Sequence, residues 1–443
     1  MSKQGFGLVG SAKEQLVKRF RARLDSKSDA VEIAPSPRGA SHIPEKFCRF
    51  DKFPGYEKVV LPQVTARRLG IENPYFKIHD GVADATTVID GKTYINFSSY
   101  NYLGLCGDPR VNQAAKDAID RYGTSASASR LVAGERPIQR ELEEAVADLY
   151  QVEDCIAFVS GHATNVTTIG TLFGPKDLIV HDSLIHNSVF EGIKLSGATR
   201  RAFAHNDPAA LERLLGEIRS NFERVLIVIE GLYSMDGDIP DLPSFIDIKQ
   251  RHKAFLMVDE AHSLGVLGET GRGIREHFNV PGKSVDIWMG TFSKAFAGSG
   301  GFIAGEKALV EHLKYAAPGF VYSVGMAPPM AAASLAAIKI MLSEPERLVQ
   351  LRINSQQFLD MMSSSGIGTG FAHGRAVVPA IVGSSLEAVK LSRLFFEAGI
   401  NVQPIIYPAV EEKAARLRFF ISSSHSEGNL AFAHETAVKL MKS

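Results

Sequence analysis

The chain has 443 residues, 45% of them hydrophobic, and 49 basic side chains balance 49 acidic ones for a formal net charge of zero. That length predicts a large unit plus a smaller one, and the neutral balance argues against a nucleic-acid surface, which needs a clustered excess of base. No apolar run reaches the roughly 18 residues of a membrane span, no secretory leader opens the chain, and the scattered Cys48, Cys106 and Cys155 supply neither a disulfide framework nor a Cys-rich metal site, so a reducing cytoplasm is the expected location.

Residues 1–45 differ from the rest. KEQLVKRFRARLDSKSD reads as a short charged amphipathic helix, and EIAPSPRGASHIP as a linker. This arm is expected to be a mobile tail, a dimer clasp or the remnant of a fusion boundary. Residues 46–105 are expected to complete a smaller domain. Within them, TTVIDGKTYINF alternates around Asp90–Gly91, a hairpin turn pair.

A large cofactor domain is expected over 106–335. DPRVNQAAKDAIDRYG predicts a helix ended by Gly123, and RPIQRELEEAVADLY another with Ile138, Leu142, Val146 and Leu149 on one face. Short apolar runs then alternate with helical stretches: CIAFVS, DLIVHD, RVLIVIE, AFLMVDE, DIWMGTF and GGFIAG. Nearly continuous apolar, β-branched runs predict strands buried on both faces, and hence an α/β fold with a mostly parallel sheet covered by helices. Past residue 335, a helix-rich stretch followed by VVPAIVGSS, INVQPIIYP and ARLRFFISSS predicts a smaller α+β domain over 336–443.

Ligands of open α/β sheets bind beyond the carboxyl ends of the strands, and polar residues crowd those ends here. After CIAFVS comes Gly161–His162 at the start of an apolar helix, where free N–H groups and the helix dipole favour an anion such as a phosphate. After AFLMV come Asp259 and His262, spaced to hold a pyridine nitrogen and a ring oxygen of one flat ring. After DIWMG comes Thr291-Phe292-Ser293-Lys294, a lysine in apolar company whose desolvation makes it a usable amine nucleophile, with hydroxyls beside it for a phosphate. Taken singly, each has an ordinary reading as a βα turn, a helix cap or a surface lysine. Together they are the three parts that pyridoxal 5'-phosphate (PLP) requires: a Schiff-base lysine, a carboxylate for its ring nitrogen and a phosphate cradle.

VDEAHSLGVLGETGRG, GTFSKAFAGSGGFIAG, EGLYSMDGDIPDL and SSYNYLGL resemble the α-oxoamine synthases, fold-type I PLP enzymes close to the class II aminotransferases. The likeness runs from about residue 55 to 440 and excludes the arm. It implies a decarboxylative condensation of a small amino acid (serine, alanine or glycine) with an acyl thioester to give an α-amino ketone. It further implies that Lys294 carries the cofactor and removes the α-proton, that Asp259 pairs with the ring nitrogen, and that His262 and Ser234 contact the ring oxygen. Gly161, His162 and Thr291 would serve the phosphate end, although an aromatic residue is commoner than histidine at 162. His186 would stack on the ring and assist catalysis. Arg418 would grip the substrate carboxylate, with Arg416 as the competing choice two residues away, and Tyr100 and Asn101 would lie near that carboxylate. Ser323 would complete the phosphate site of the other subunit of a homodimer. Ala128 stands where the family often has glycine, and apolar residues such as Phe320 and Met326 are candidates for chain-length control or for plain core.

The serine palmitoyltransferase and 8-amino-7-oxononanoate synthase branches both fit these motifs, with a lean towards the former or towards a polyketide-associated enzyme. The acyl group rides on coenzyme A or on an acyl-carrier protein. A plain aminotransferase is the rival enzyme class. A regulatory subunit of a heteromeric synthase, which lacks the Schiff-base lysine, is the rival outside enzymes. No metal is expected.

Overall fold

The computed structural model describes residues 43–68 and 73–442, which divide into two compact units between Asn73 and Pro74. The helix and most of the linker expected in the N-terminal arm lie outside the described residues. The first unit contains two single turns, Glu45–Phe47 and Phe50–Lys52, and the helix Pro54–Arg68. Proline suits the first helical position because its φ is already fixed and no amide hydrogen is lost there.

In the second unit the strands are β1 Thr86–Ile89, β2 Lys92–Asn96, β3 Asp154–Phe158, β4 Leu178–Asp182, β5 Thr199–Phe203, β6 Val225–Glu230, β7 Phe255–Asp259, β8 Ile287–Thr291, β9 Gly301–Gly305, β10 Val377–Ile381, β11 Ile400–Asn401, β12 Gln403–Ile405 and β13 Arg416–Phe420. Seven form one sheet in the order β3-β9-β8-β7-β6-β4-β5. Its five strands from β8 to β5 run parallel, and β9 runs antiparallel to both β8 and β3.

Alternate residues of the central strands feed two apolar cores, one on each face of the sheet. Val225, Ile227 and Ile229 of β6 point into one, Leu226 and Val228 into the other, as the period of two requires. That double burial explains the continuous apolar runs in the sequence. β5 was not expected: Thr199, Arg200 and Arg201 are exposed or half-buried, and the strand closes the sheet edge. Charge on an edge strand blocks pairing with other chains and also hides the strand from an apolar-run reading.

Two three-stranded sheets complete the unit. β1 and β2 form the expected hairpin, with Asp90 and Gly91 at φ 50° and 74° in the turn. β11 adds to β2 in parallel, so residues near 95 and near 400 share one sheet. The third sheet, β10-β13-β12, is antiparallel. The two helices expected near 109 and 137 are present as Pro109–Tyr122, capped by Asp108, and Pro137–Tyr150.

Candidate active site

Four parallel strands end on a polar side chain at the same edge of the sheet: Asp182 on β4, Glu230 on β6, Asp259 on β7 and Thr291 on β8. Beyond those ends lies a cavity of about 260 Å³. Of the residues expected to form a site, Gly161, His162, His186, Ser234, Asp259, His262, Thr291 and Lys294 all line it. Ser160, Asn165, Ser188 and Glu230 line it as well and were not singled out from the sequence.

The helix Gly161–Leu172 starts at this cavity, capped by the Ser160 hydroxyl, which accepts from the Ala163 amide at 3.3 Å. A Cβ on Gly161 would sit 2.9 Å from Thr291 Oγ1, so only glycine lets this helix start approach the end of β8. Thr291 Oγ1 donates to the Gly300 carbonyl at 2.7 Å and accepts from the Ser293 amide at 3.2 Å. The threonine thus braces the loop that carries Lys294.

Asp259 is held by two donors: the Ala261 amide at 3.0 Å on Oδ1 and Asn165 Nδ2 at 2.9 Å on Oδ2. Asn165 Nδ2 also donates to Ser188 Oγ at 2.9 Å, and Ser188 Oγ lies 2.6 Å from His186 Nδ1. The Ser188 amide donates to the same Nδ1 at 3.3 Å. Because an amide can only donate, Nδ1 is an acceptor and the neutral ring carries its hydrogen on Nε2. Burial, with the nearby positive charges of Lys294 and Arg418, holds His186 below the usual imidazole range, partly opposed by Asp259. His162 meets His186 edge to face, 6.4 Å between ring centres.

His262 Nδ1 lies 2.8 Å from the Tyr102 hydroxyl. Burial drives the tyrosine well above and the histidine well below their ordinary values, so both are neutral. With Tyr102 donating, His262 keeps its hydrogen on Nε2. Burial also lowers Lys294 to about 8, against the pull of Asp259 and Glu230.

Lys294 and Ser293 line a second cavity too, of about 460 Å³, together with Tyr100, Asn101, Thr87 and Gln403. Lys294 Nζ sits 5.5 Å from the centre of the Tyr100 ring. Asn101 is buried, and its side chain donates to the Ala83 carbonyl at 3.0 Å and accepts from the Cys106 amide at 3.0 Å. These bonds shape the wall and leave Asn101 little capacity for a ligand.

The structure separates the two arginines of β13. Arg416 is buried in an ion pair with Asp236 at 2.7 Å and also donates to the Met235 carbonyl. Arg418, on the same side of the strand, donates through Nη1 to the Ser234 carbonyl at 2.9 Å and leaves its buried Nε without a partner. Its charge lowers Lys294, His186 and His262. Ser323 is half-buried, donates to the Val324 carbonyl and lines neither cavity at Lys294. Phe320 and Met326 are core residues that also stay out of both.

These groups fit PLP by their own chemistry. A depressed lysine amine, a carboxylate held by two donors, a neutral imidazole beside each and a glycine-opened helix start all face one cavity. Among the described residues no cluster of ligands suited to a metal ion occurs, and no helix is long and apolar enough to cross a membrane.

Comparison with known proteins agrees. Residues 92–435 match the aminotransferase class I and II family. The 8-amino-7-oxononanoate synthase of Treponema denticola is 37% identical over 82% of this chain and 91% of its own. The chain belongs to the α-oxoamine synthases, within the class I and II aminotransferase family. A solved structure of SPT with its PLP internal aldimine covers 88% of this α-oxoamine synthase and 98% of its own chain, with a TM-score of 0.83 and 26% identity. The serine palmitoyltransferase of Sphingomonas wittichii also gives 0.83, at 28% identity, over 87% and 98% of the two chains. The cofactor of this enzyme is PLP, and its reaction is a decarboxylative condensation of an amino acid with an acyl thioester.

Proposed function

We propose that this enzyme condenses serine, alanine or glycine with an acyl group carried on coenzyme A or an acyl-carrier protein, working in the cytoplasm as a homodimer. The observation that carries the reading is the position of Lys294 in the wall shared by two cavities, one fitted to the cofactor and one open for substrates. When bound, PLP supplies an electron-poor ring that takes up the electron pair left on the substrate α-carbon. Lys294 would hold the cofactor and, as a neutral amine, would take the α-proton of the substrate. Its lowered basicity suits both tasks, since a neutral amine is needed in each.

Asp259, fixed by Asn165 and the Ala261 amide, would pair with the ring nitrogen and support its protonated form. His262 and Ser234 would hold the ring oxygen, and the amides of Gly161 and His162 with Thr291 would hold the phosphate, with Ser323 of the partner subunit closing the site. Arg418 takes the substrate carboxylate, and Arg416 holds the loop beneath it. His186 would stack on the ring, and its Nε2–H is free to donate to an oxygen that gains charge in the reaction. Tyr100 and Asn101 shape the wall beside the substrate. The sheet pairings of β1, β2 and β11 support a small domain in which the segment that carries the hairpin at 86–96 joins residues 336–443, beside the large domain at 106–335. The test is to titrate the holoenzyme with glycine, alanine and serine in turn while recording its visible absorbance. A band that shifts with one of the three names the amino substrate, and no response to any of them refutes the reading.

A further inference from the structure

Glu230 is 3% exposed and ends β6 directly beside Asp259, its register partner on β7. Its Oε2 accepts from the Ser234 amide at 3.1 Å, and among the described residues no arginine or lysine is hydrogen-bonded to it. Its Oε1 is buried without a partner although the residue lines the cofactor cavity. An ionised carboxylate in that position, one strand from a second carboxylate, is badly solvated. A neutral carboxylic acid is not, and its hydrogen needs an acceptor that the protein does not supply.

Resting on the PLP reading above, we propose that Glu230 is a proton-bearing donor of the cofactor cavity: its Oε1–H donates a hydrogen bond to an anionic oxygen of the bound cofactor or substrate, while Oε2 holds the Ser234 loop. Burial first, and Asp259 second, raise Glu230 to about 8, against the Ser234 amide and Lys294. The charged and titratable groups that face it are Asp259 from β7, Lys294 from the loop after β8, Asp182 from β4, Tyr233 from its own loop and Arg418 from β13. Two acids beside one ring then divide the work. Asp259 accepts from two donors, one on each oxygen, whereas Glu230 accepts from one and leaves Oε1 free to carry a proton.

The distinction is testable because an amide can copy a neutral acid and cannot copy a carboxylate. Cofactor dissociation constants of the apoproteins are measured by titrating PLP and following the visible band, for wild type, Glu230→Gln and Glu230→Ala. At neutral pH the glutamine variant is expected to bind about threefold more weakly and the alanine variant about thirtyfold, the loss of one charge-assisted hydrogen bond. Wild-type affinity falls as pH rises through about 8, and the glutamine variant lacks that component. Thermal melting of each apoprotein confirms folding. Should the alanine variant not fold, the infrared difference between wild type and Glu230→Gln decides, because the proposal requires a protonated-carboxyl stretch of Glu230 at neutral pH that disappears in the same range. Equal damage from glutamine and alanine, an unchanged pH component in the glutamine variant, or no protonated carboxyl in the wild type would overturn the proposal. A wild type that forms no visible band would instead refute the PLP reading itself.

Discussion

The two cavities that meet at Lys294 are built on different terms. The cofactor side is made of strand ends from one sheet, and its key groups are tied together through Asp259, Asn165, Ser188 and His186. The other side is made of the hairpin segment and the strands near 400, and there Asn101 uses its polar groups on backbone. The first is preorganised for one ligand. The second offers shape, with Tyr100 at 40% exposure, in place of a connected polar network.

The largest expected effect tests whether both cavities depend on one residue. Lys294→Ala should abolish the visible band and lower turnover at least about a thousandfold, since the proposed covalent anchor and the proposed base are lost together. Measured turnover near that of wild type would break the comparison. Asp259→Asn acts on the cofactor side alone. It should cost about a hundredfold in kcat with a shifted band and little change in KM for the thioester.

The arginine pair sharpens the contrast. Arg418→Ala should raise KM for the amino acid roughly tenfold to a hundredfold while melting near wild type. Arg416→Ala strands Asp236 as a buried unpaired charge and should cost about 3–5 kcal/mol of stability. The reverse pattern, a stable Arg416→Ala with the larger KM defect, would reassign the carboxylate site.

The smallest effect concerns what holds the Ser234 loop. His205 sits between Asp182 at 2.8 Å and Asp238 at 3.0 Å. Burial disfavours its charge, but the two carboxylates raise it to about 10. A histidine raised in the folded state stabilises fully below its unfolded value of about 6.5 and loses that contribution as pH rises through about 10. The wild-type melting temperature should therefore fall across that window by a few degrees more than that of His205→Gln.

Much of this was legible in the chain, for reasons that can be named. Double burial writes itself as unbroken apolar runs, and Asp90–Gly91 marks its turn by conformational need alone. β5 escaped because an exposed edge strand carries Thr199, Arg200 and Arg201 in place of an apolar run. Spacing put Arg416 and Arg418 on one side of a strand. Choosing between them depends on Asp236, far away in sequence, whose contact only the fold creates. Glu230 escaped because a glutamate closing an apolar strand reads as a strand end. Asn165 and Ser188 escaped because short polar residues near helix starts read as caps. In each case the missing information was a tertiary partner.

The most direct test of the central claim is stoichiometry. Holoenzyme is mixed with its amino acid and an acyl thioester, and free thiol and CO2 are measured together over the time course. The account predicts that both appear, one for one, and that neither appears with Lys294→Ala. Formation of an oxo acid from the amino acid without thiol or CO2 would make the enzyme an aminotransferase and contradict the account.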